Sequence, residues 1–309
     1  MTATAPLLAV LVLSADVRVQ ESDGRFVFTA DGAELAVYHA APAKPPEGVD
    51  AMYARSGFVH PVRTPSGRVV TDDFSPDYSH QNGLFNTWTK ATFRDRPVDF
   101  WNRHKGLGTY RHAAVLEVGQ GRGRGHLKVE IEHATLDPEV VVLREERTYD
   151  ISVADGVTVI DVHSVQRAVG DPLVCEKHLY GGFAVRGARG WSGPATMLTS
   201  GGLDRMSGNH SRAEWVAMSG PTDQGPATVV VISSPQNFRS PQSVRLHPEQ
   251  PYFCFAPCVT APFTIERGRP LESRYRVLAY DGSADADRIK KMNPHGEQGS
   301  SAPGSPRGD

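Results

Sequence analysis

The chain has 309 residues, with 33 basic against 35 acidic side chains and a formal net charge of −2. A balance this even gives no electrostatic reason to expect nucleic acid or an anionic membrane as partner, and is compatible with binding of uncharged or weakly charged small molecules without requiring it. The three cysteines, Cys175, Cys254 and Cys258, form no disulfide framework, and "CFAPC" lacks the second Cys/His pair of a zinc site, so they read as buried strand cysteines.

The apolar run from Pro6 to Leu13 has no basic residue before it and falls well short of the roughly 20 residues that span a bilayer. It reads as a first strand of a cytoplasmic protein, with a weak signal peptide as the alternative. "RFVFTADGAELAVYH" (25–39) predicts a hairpin around Asp31-Gly32. "GQGRGRG" (119–125) has neither the lysine nor the following helix of a phosphate loop, and reads as a hairpin connection. In "HLKVEIEHATL" (126–136), Leu127, Val129 and Ile131 alternate with Lys128, Glu130 and Glu132, which predicts a strand with one face on a core and one in water. "DPE" (137–139) and "ADG" (154–156) then turn the chain twice, giving three consecutive antiparallel strands. "ATVVVISS" (227–234) is apolar enough for a central strand. "LESRYRVLAYDG" (271–282) puts Glu272, Arg274 and Arg276 opposite Tyr275, Val277 and Ala279. "ADADRIKKM" (284–292) is the one helix candidate, with Asp at its start and Lys at its end.

With 30 glycines and 23 prolines punctuating short strands, the expected fold is all-β, a large antiparallel β-sandwich with one short C-terminal helix. No linker divides residues 1–290, which read as one domain. Residues 293–309 carry no apolar anchor and read as a disordered tail.

Polar density peaks between Phe58 and Trp101. There "FVHPVRTPSGRVVTDDFSPDYSHQNGLF" brings His60, Asp72, Asp73, Asp77 and His80 close together in sequence. Histidine titrates near neutrality, and carboxylates beside it orient it or act as the opposing acid–base partner. His80, His60 and Asp73 are the first catalytic candidates. Asn82, Trp88 and Trp101 follow as substrate-binding groups. In "CEKHLYGGFAVR" (175–186), Glu176 and His178 share a face if the segment is a strand, and offer a second acid–base pair with Arg186 beyond them. Asn237 and Arg239 in "SPQNFRSP" could bind a hydroxyl or carboxylate. His126, His133 and His163 read as ordinary strand positions.

In order, "FVHPVRTPSGRVVTDDFSPDYSHQNGLF", "VDFW", "YGGFAVR", "SPQNFRSP" and "LESRYRVLAYDG" resemble a bacterial family designated methane oxygenase PmoA or PmoA-like, over about Tyr38 to Gly282. Many members read Asp-His-Pro-His-His-x-Gly-Leu where this chain has Asp77, Tyr78, Ser79, His80, Gln81, Asn82, Gly83 and Leu84, so His80 is the histidine carried over. The resemblance implies a galactose-mutarotase-like supersandwich.

Three functions follow as expectations. The first is a carbohydrate-active enzyme working by acid–base chemistry (epimerase, hydrolase or lyase) without an organic cofactor. The second is a divalent-metal oxygenase or hydrolase using His60, His80 and a carboxylate. The third is a non-catalytic carbohydrate-binding sandwich. Substrate and oligomeric state are not legible.

Overall fold

The computed structural model describes residues 16–295; the apolar run Pro6–Leu13 and all but the start of the tail at 293–309 lie outside the described residues. Seventeen strands hydrogen-bond in one unbroken order. All of their pairings are antiparallel. One limb runs through Arg212–Ala213, Gln242–Leu246, Tyr252–Phe255, Gly182–Arg186, Leu84–Thr87, Phe58–Val62, Ala33–His39 and Arg25–Ala30. The other runs through Thr109–Arg122, Arg124–Ala134, Val141–Ala154, Val157–Ala168, Leu271–Asp281, Ala227–Ser233, Trp215–Gly220 and Thr196–Thr199. Asp16–Ser22 joins the limbs, pairing with Arg25–Ala30 on one side and with the end of Thr109–Arg122 on the other.

The alternating segments behave as their patterns dictate. Leu127, Val129 and Ile131 are fully buried. The turn after them returns the chain into Val141–Ala154, and the next turn into Val157–Ala168. Ala227–Ser233 is buried along its whole length between two neighbours. The helix is Ala286–Met292, capped by the Asp285 carboxylate, which accepts from the Asp287 and Arg288 amides. At 119–125 the two strands extend almost to contact around Gly123, so the glycine-rich connection is tighter than a loop.

The limbs face each other as a sandwich. Phe183 of the first stacks on Tyr275 of the second at 4.5 Å, and Tyr38 meets Tyr149 at 5.6 Å. Each such buried aromatic contributes about 1.5–3 kcal/mol relative to exposure. A charged knot crosses the same interface. Arg147 donates to Glu145 at 2.7 and 2.8 Å, and to the carbonyls of Gly57 and Asn86 in the opposite limb at 3.3 and 3.0 Å. His133 lies 2.9 Å from Glu145, and Ser164 and Gln166 donate to it at 2.6 and 3.1 Å. All of these are buried. Burial pushes the Glu145 carboxyl up, but Arg147 and His133 outweigh it and hold it well below the usual carboxylate range. His133 is therefore part of a saturated buried ion network and not an ordinary strand position. No sequence pattern marked it.

Candidate functional site

The outward face of the first limb carries the chemistry. Pairing sets Arg186 opposite Tyr252, Ala184 opposite both Cys254 and Phe85, and Arg245 opposite Cys254. Phe183 points inward onto Tyr275, so period-two alternation sends Ala184 and Arg186 outward, together with Phe85, Tyr252, Arg245 and His247 across the ladder. Two connections cover part of this face. One is the stretch from Asp72 to Gly83, and the other contains Trp101 and the 3-10 turn Arg103–Lys105. Gly83 closes the first against Phe58–Val62; its φ is 50°, and a Cβ there would lie 2.0 Å from the Val59 carbonyl oxygen. Arg55 ties the two together by donating to the carbonyls of His80 and Trp101 at 3.3 and 3.4 Å.

The rings brought here form a continuous belt. His104 meets His80 at 5.3 Å, His80 meets Tyr78 at 5.9 Å, and Tyr78 meets His247 at 5.5 Å. The belt continues from His247 to Tyr252 at 6.3 Å, Tyr252 to Trp101 at 5.8 Å, Trp101 to Tyr180 at 5.3 Å and Tyr180 to His178 at 4.7 Å. Trp101 and Tyr252 are buried and make its floor, while Tyr78, His80, His178 and His247 are half-buried. Besides Nε of Arg103 in the 3-10 turn, three residues of this face and its covering connections have polar atoms without partners among the described residues. They are fully buried Asn82 at both amide atoms, Trp101 at its indole N–H, and Arg186, a residue 1% exposed, at Nε. Buried polar groups normally find partners, so such orphans are candidates for contacts with a water or a ligand.

The histidines are held neutral. Burial, then the charges of Arg55 and His104, push His80 down to about 3. Burial, then Arg245 and Arg186, push His247 down to about 4. Burial, then Lys90 and Lys105, lower His178. In His247, Nδ1 accepts from the amides of Glu249 and Gln250 at 3.2 and 3.0 Å, which puts the ring proton on Nε2, 3.4 Å from the Tyr78 hydroxyl. The His80 ring makes no hydrogen bond among the described residues, so its lone pair is free to take a proton.

His60 and Asp73 do come together, but apart from His80. His60 Nε2 lies 3.3 Å from Asp73 Oδ1, and Nδ1 lies 3.0 Å from the Thr71 hydroxyl. Burial pushes His60 down to about 4, against the opposing charge of Asp72, and burial raises both Asp72 and Asp73. Together with Arg189 and Trp191 these residues line a hollow of about 680 Å³ that contains no belt residue. The set of His60, His80 and a carboxylate is accordingly not assembled. Among the described residues, no group of three or more His, Cys, Asp or Glu side chains is placed to hold a metal ion.

The other sequence candidates fall elsewhere. Strand Leu173–Cys175 ends before Glu176, so Glu176 and His178 do not share a strand face; Glu176 accepts from Thr92 at 3.1 Å. Trp88 is buried in a second core cluster and donates to Gln166 at 2.6 Å. Asn237 spends its amide on Ser233 and on the backbone of Arg274. Arg239 donates to the carbonyls of Pro257, Ala261 and Pro262. All three cysteines are buried and free. Sequence reasoning passed over His104, Tyr180, Arg245, His247 and Tyr252. The two-residue spacing of Arg245 in strand Gln242–Leu246 and His247 just beyond it was the available signal.

A family model matches residues 25–293, most of the chain. The chain belongs to the family of unknown function DUF6807. That membership brings no activity with it, and no curated protein matches the chain. Among solved structures, a heparan sulfate lyase, HepC from Pedobacter heparinus, is similar at 12% identity and a TM-score of 0.43, covering 87% of this chain. This DUF6807 chain spans 37% of that lyase's length. The Slr1438 protein from Synechocystis sp. PCC 6803 is similar at 9% identity and a TM-score of 0.34, covering 91% of this chain and 100% of its own. An alpha-galactosidase from Lactobacillus brevis gives 9% identity and 0.34, covering 91% and 40%. No helix among the described residues is long and apolar enough to cross a membrane.

Proposed function

We propose that the belt is a carbohydrate site, and that the protein is a carbohydrate-active enzyme using His80 as proton acceptor. The observation that carries this reading is the unbroken run of rings over the floor of Trp101 and Tyr252, with orphaned polar groups on Asn82, Trp101 and Arg186 beside it. A sugar needs both kinds of surface. Its C–H faces pack on aromatic rings, and its hydroxyls need a few fixed donors and acceptors. Half-buried and without an internal hydrogen bond, His80 presents an unprotonated ring nitrogen toward a ligand hydroxyl or an activated C–H. His247, with its single ring proton on Nε2, is a hydrogen-bond donor beside Tyr78 that keeps its proton and stabilises developing negative charge. Epimerisation and elimination both begin with a proton abstraction of this kind.

The test is calorimetric titration with a panel of monosaccharides and disaccharides, run alongside turnover of the same panel. Binding with turnover that His80→Ala abolishes, while His60→Ala retains it, is the expected result. Binding without turnover would make the protein a carbohydrate-binding module. Binding that His60→Ala removes and His80→Ala does not would move the site to the Asp73 hollow. Absence of binding to any sugar would overturn the reading.

A further inference from the structure

The outward face is rich in arginine. Arg186 and Arg245 stand on the two strands that flank Tyr252–Phe255, with Arg55 behind His80, and Arg205 adds to the positive charge felt by His247. Among the described residues none of these four arginines lies within 4.0 Å of a carboxylate. Arg55 and Arg205 have only carbonyl partners. Arg186 is held by neutral groups, the Ser75 hydroxyl at 2.5 Å and the amide oxygens of Gln81 and Gln250, both at 3.3 Å. Its Nε has no partner, and the Arg245 side chain has none at all among the described residues. Asp72 and Asp77 act on Arg186 through space without an ion pair to it, and Asp99 is already engaged by Lys105 at 2.8 Å and by the side chains of Thr89 and Asn102.

Elsewhere in the molecule, Arg63, Arg111, Arg144, Arg147, Arg167 and Arg276 each have a carboxylate within 4.0 Å, whereas Arg212, Arg239 and Arg288 are held by carbonyls. A buried guanidinium without a counter-charge is costly, and an arginine fork suits a planar anion. We infer that Arg186 and Arg245 receive an anionic group of the ligand, so that the substrate is an acidic sugar. This rests on the carbohydrate reading above and narrows it. Both a carboxylate and a sulfate or phosphate ester supply the needed oxygens. One oxygen of the anion would satisfy the free Nε–H of Arg186, and the unpartnered Arg245 guanidinium would take another.

The experiment compares neutral glucose and galactose with glucuronate, galacturonate, glucose 6-sulfate and glucose 6-phosphate, by calorimetry on the full chain at low and high salt. Acidic sugars are expected to bind about tenfold to a hundredfold tighter than neutral ones, as charge-assisted hydrogen bonds require, with the gap narrowing in salt. Arg245→Gln should remove most of that gap. Because Arg245 has no side-chain partner, this variant should fold where Arg186→Gln, which breaks three internal hydrogen bonds, could fail to. Tighter binding of the uronates identifies the anion as a carboxylate, and tighter binding of the esters identifies it as sulfate or phosphate. Equal, salt-insensitive binding of neutral and acidic sugars overturns this inference and leaves the carbohydrate reading standing. Failure of every sugar to bind overturns both.

Discussion

Asn82 offers the sharpest separation of stability from function. It is fully buried, and neither its amide oxygen nor its amide nitrogen has a partner among the described residues. Each orphaned group costs about 1–3 kcal/mol of desolvation in the folded state. Leucine has the same branching but a larger volume, and the backbone at 82 does not need a positive φ. Overpacking of that kind costs about 1–3 kcal/mol. Set against two orphaned groups, Asn82→Leu should still stabilise the free protein by about 2 kcal/mol, raising Tm by roughly 3 °C for a domain of this size. The same change should weaken sugar binding at least about tenfold, because a ligand hydroxyl loses its partner. Thermal melts in the absence of sugar, followed by titration calorimetry, read the two effects separately. A Tm that falls by several degrees would refute the reasoning, since it would mean that Asn82 is satisfied within the fold and serves structure alone.

Other outcomes follow from the same coordinates. Glu145→Gln leaves Arg147 buried beside a neutral group and should cost about 3–5 kcal/mol in urea denaturation. Because the Glu145 carboxyl is held below its unfolded value, its contribution is present above about pH 4.5 and lost as pH falls beneath that. His80 and His247 have the opposite bias, with folded values pushed below the unfolded one near 6.5. The unfolded chain then binds more protons between about pH 4 and 6.5, so stability falls as pH drops through that window. His80→Gln should recover about 1–2 kcal/mol of the loss between pH 7 and pH 5, seen as a smaller shift in urea midpoint. Gly83→Ala places a methyl against the Val59 carbonyl and should cost more than about 3 kcal/mol or prevent folding, as circular dichroism would report.

Legibility in the sequence tracked the range of the interactions. Leu127, Val129 and Ile131 announced their face because alternation is local, and Asp31-Gly32 announced its hairpin for the same reason. The closeness of His60 to Asp73 was also visible, thirteen positions apart on one connection. The belt was not. Tyr78, Trp101, Tyr180 and His247 come from four separate connections or strand ends, and only the pairing of Leu84–Thr87, Gly182–Arg186, Tyr252–Phe255 and Gln242–Leu246 makes them neighbours. Nor could sequence show that His60 lines a hollow that His80 does not share, or that Trp88 turns into a core while Trp101 floors the site. Glu145 and Arg147 sit in the charged stretch "REER", which gives no local sign that these two are fully buried.

The central claim is that the belt around His80 receives an acidic sugar. Histidine side-chain NMR during titration with galacturonate tests it directly, since ring signals report both contact and protonation. The account predicts that the resonances of His80 and His247, assigned through His80→Gln and His247→Gln, shift toward the protonated form at fixed pH, because an incoming anion opposes Arg55, Arg186 and Arg245, while His60 stays unmoved. Shifts confined to His60, or none at saturating ligand, would contradict it.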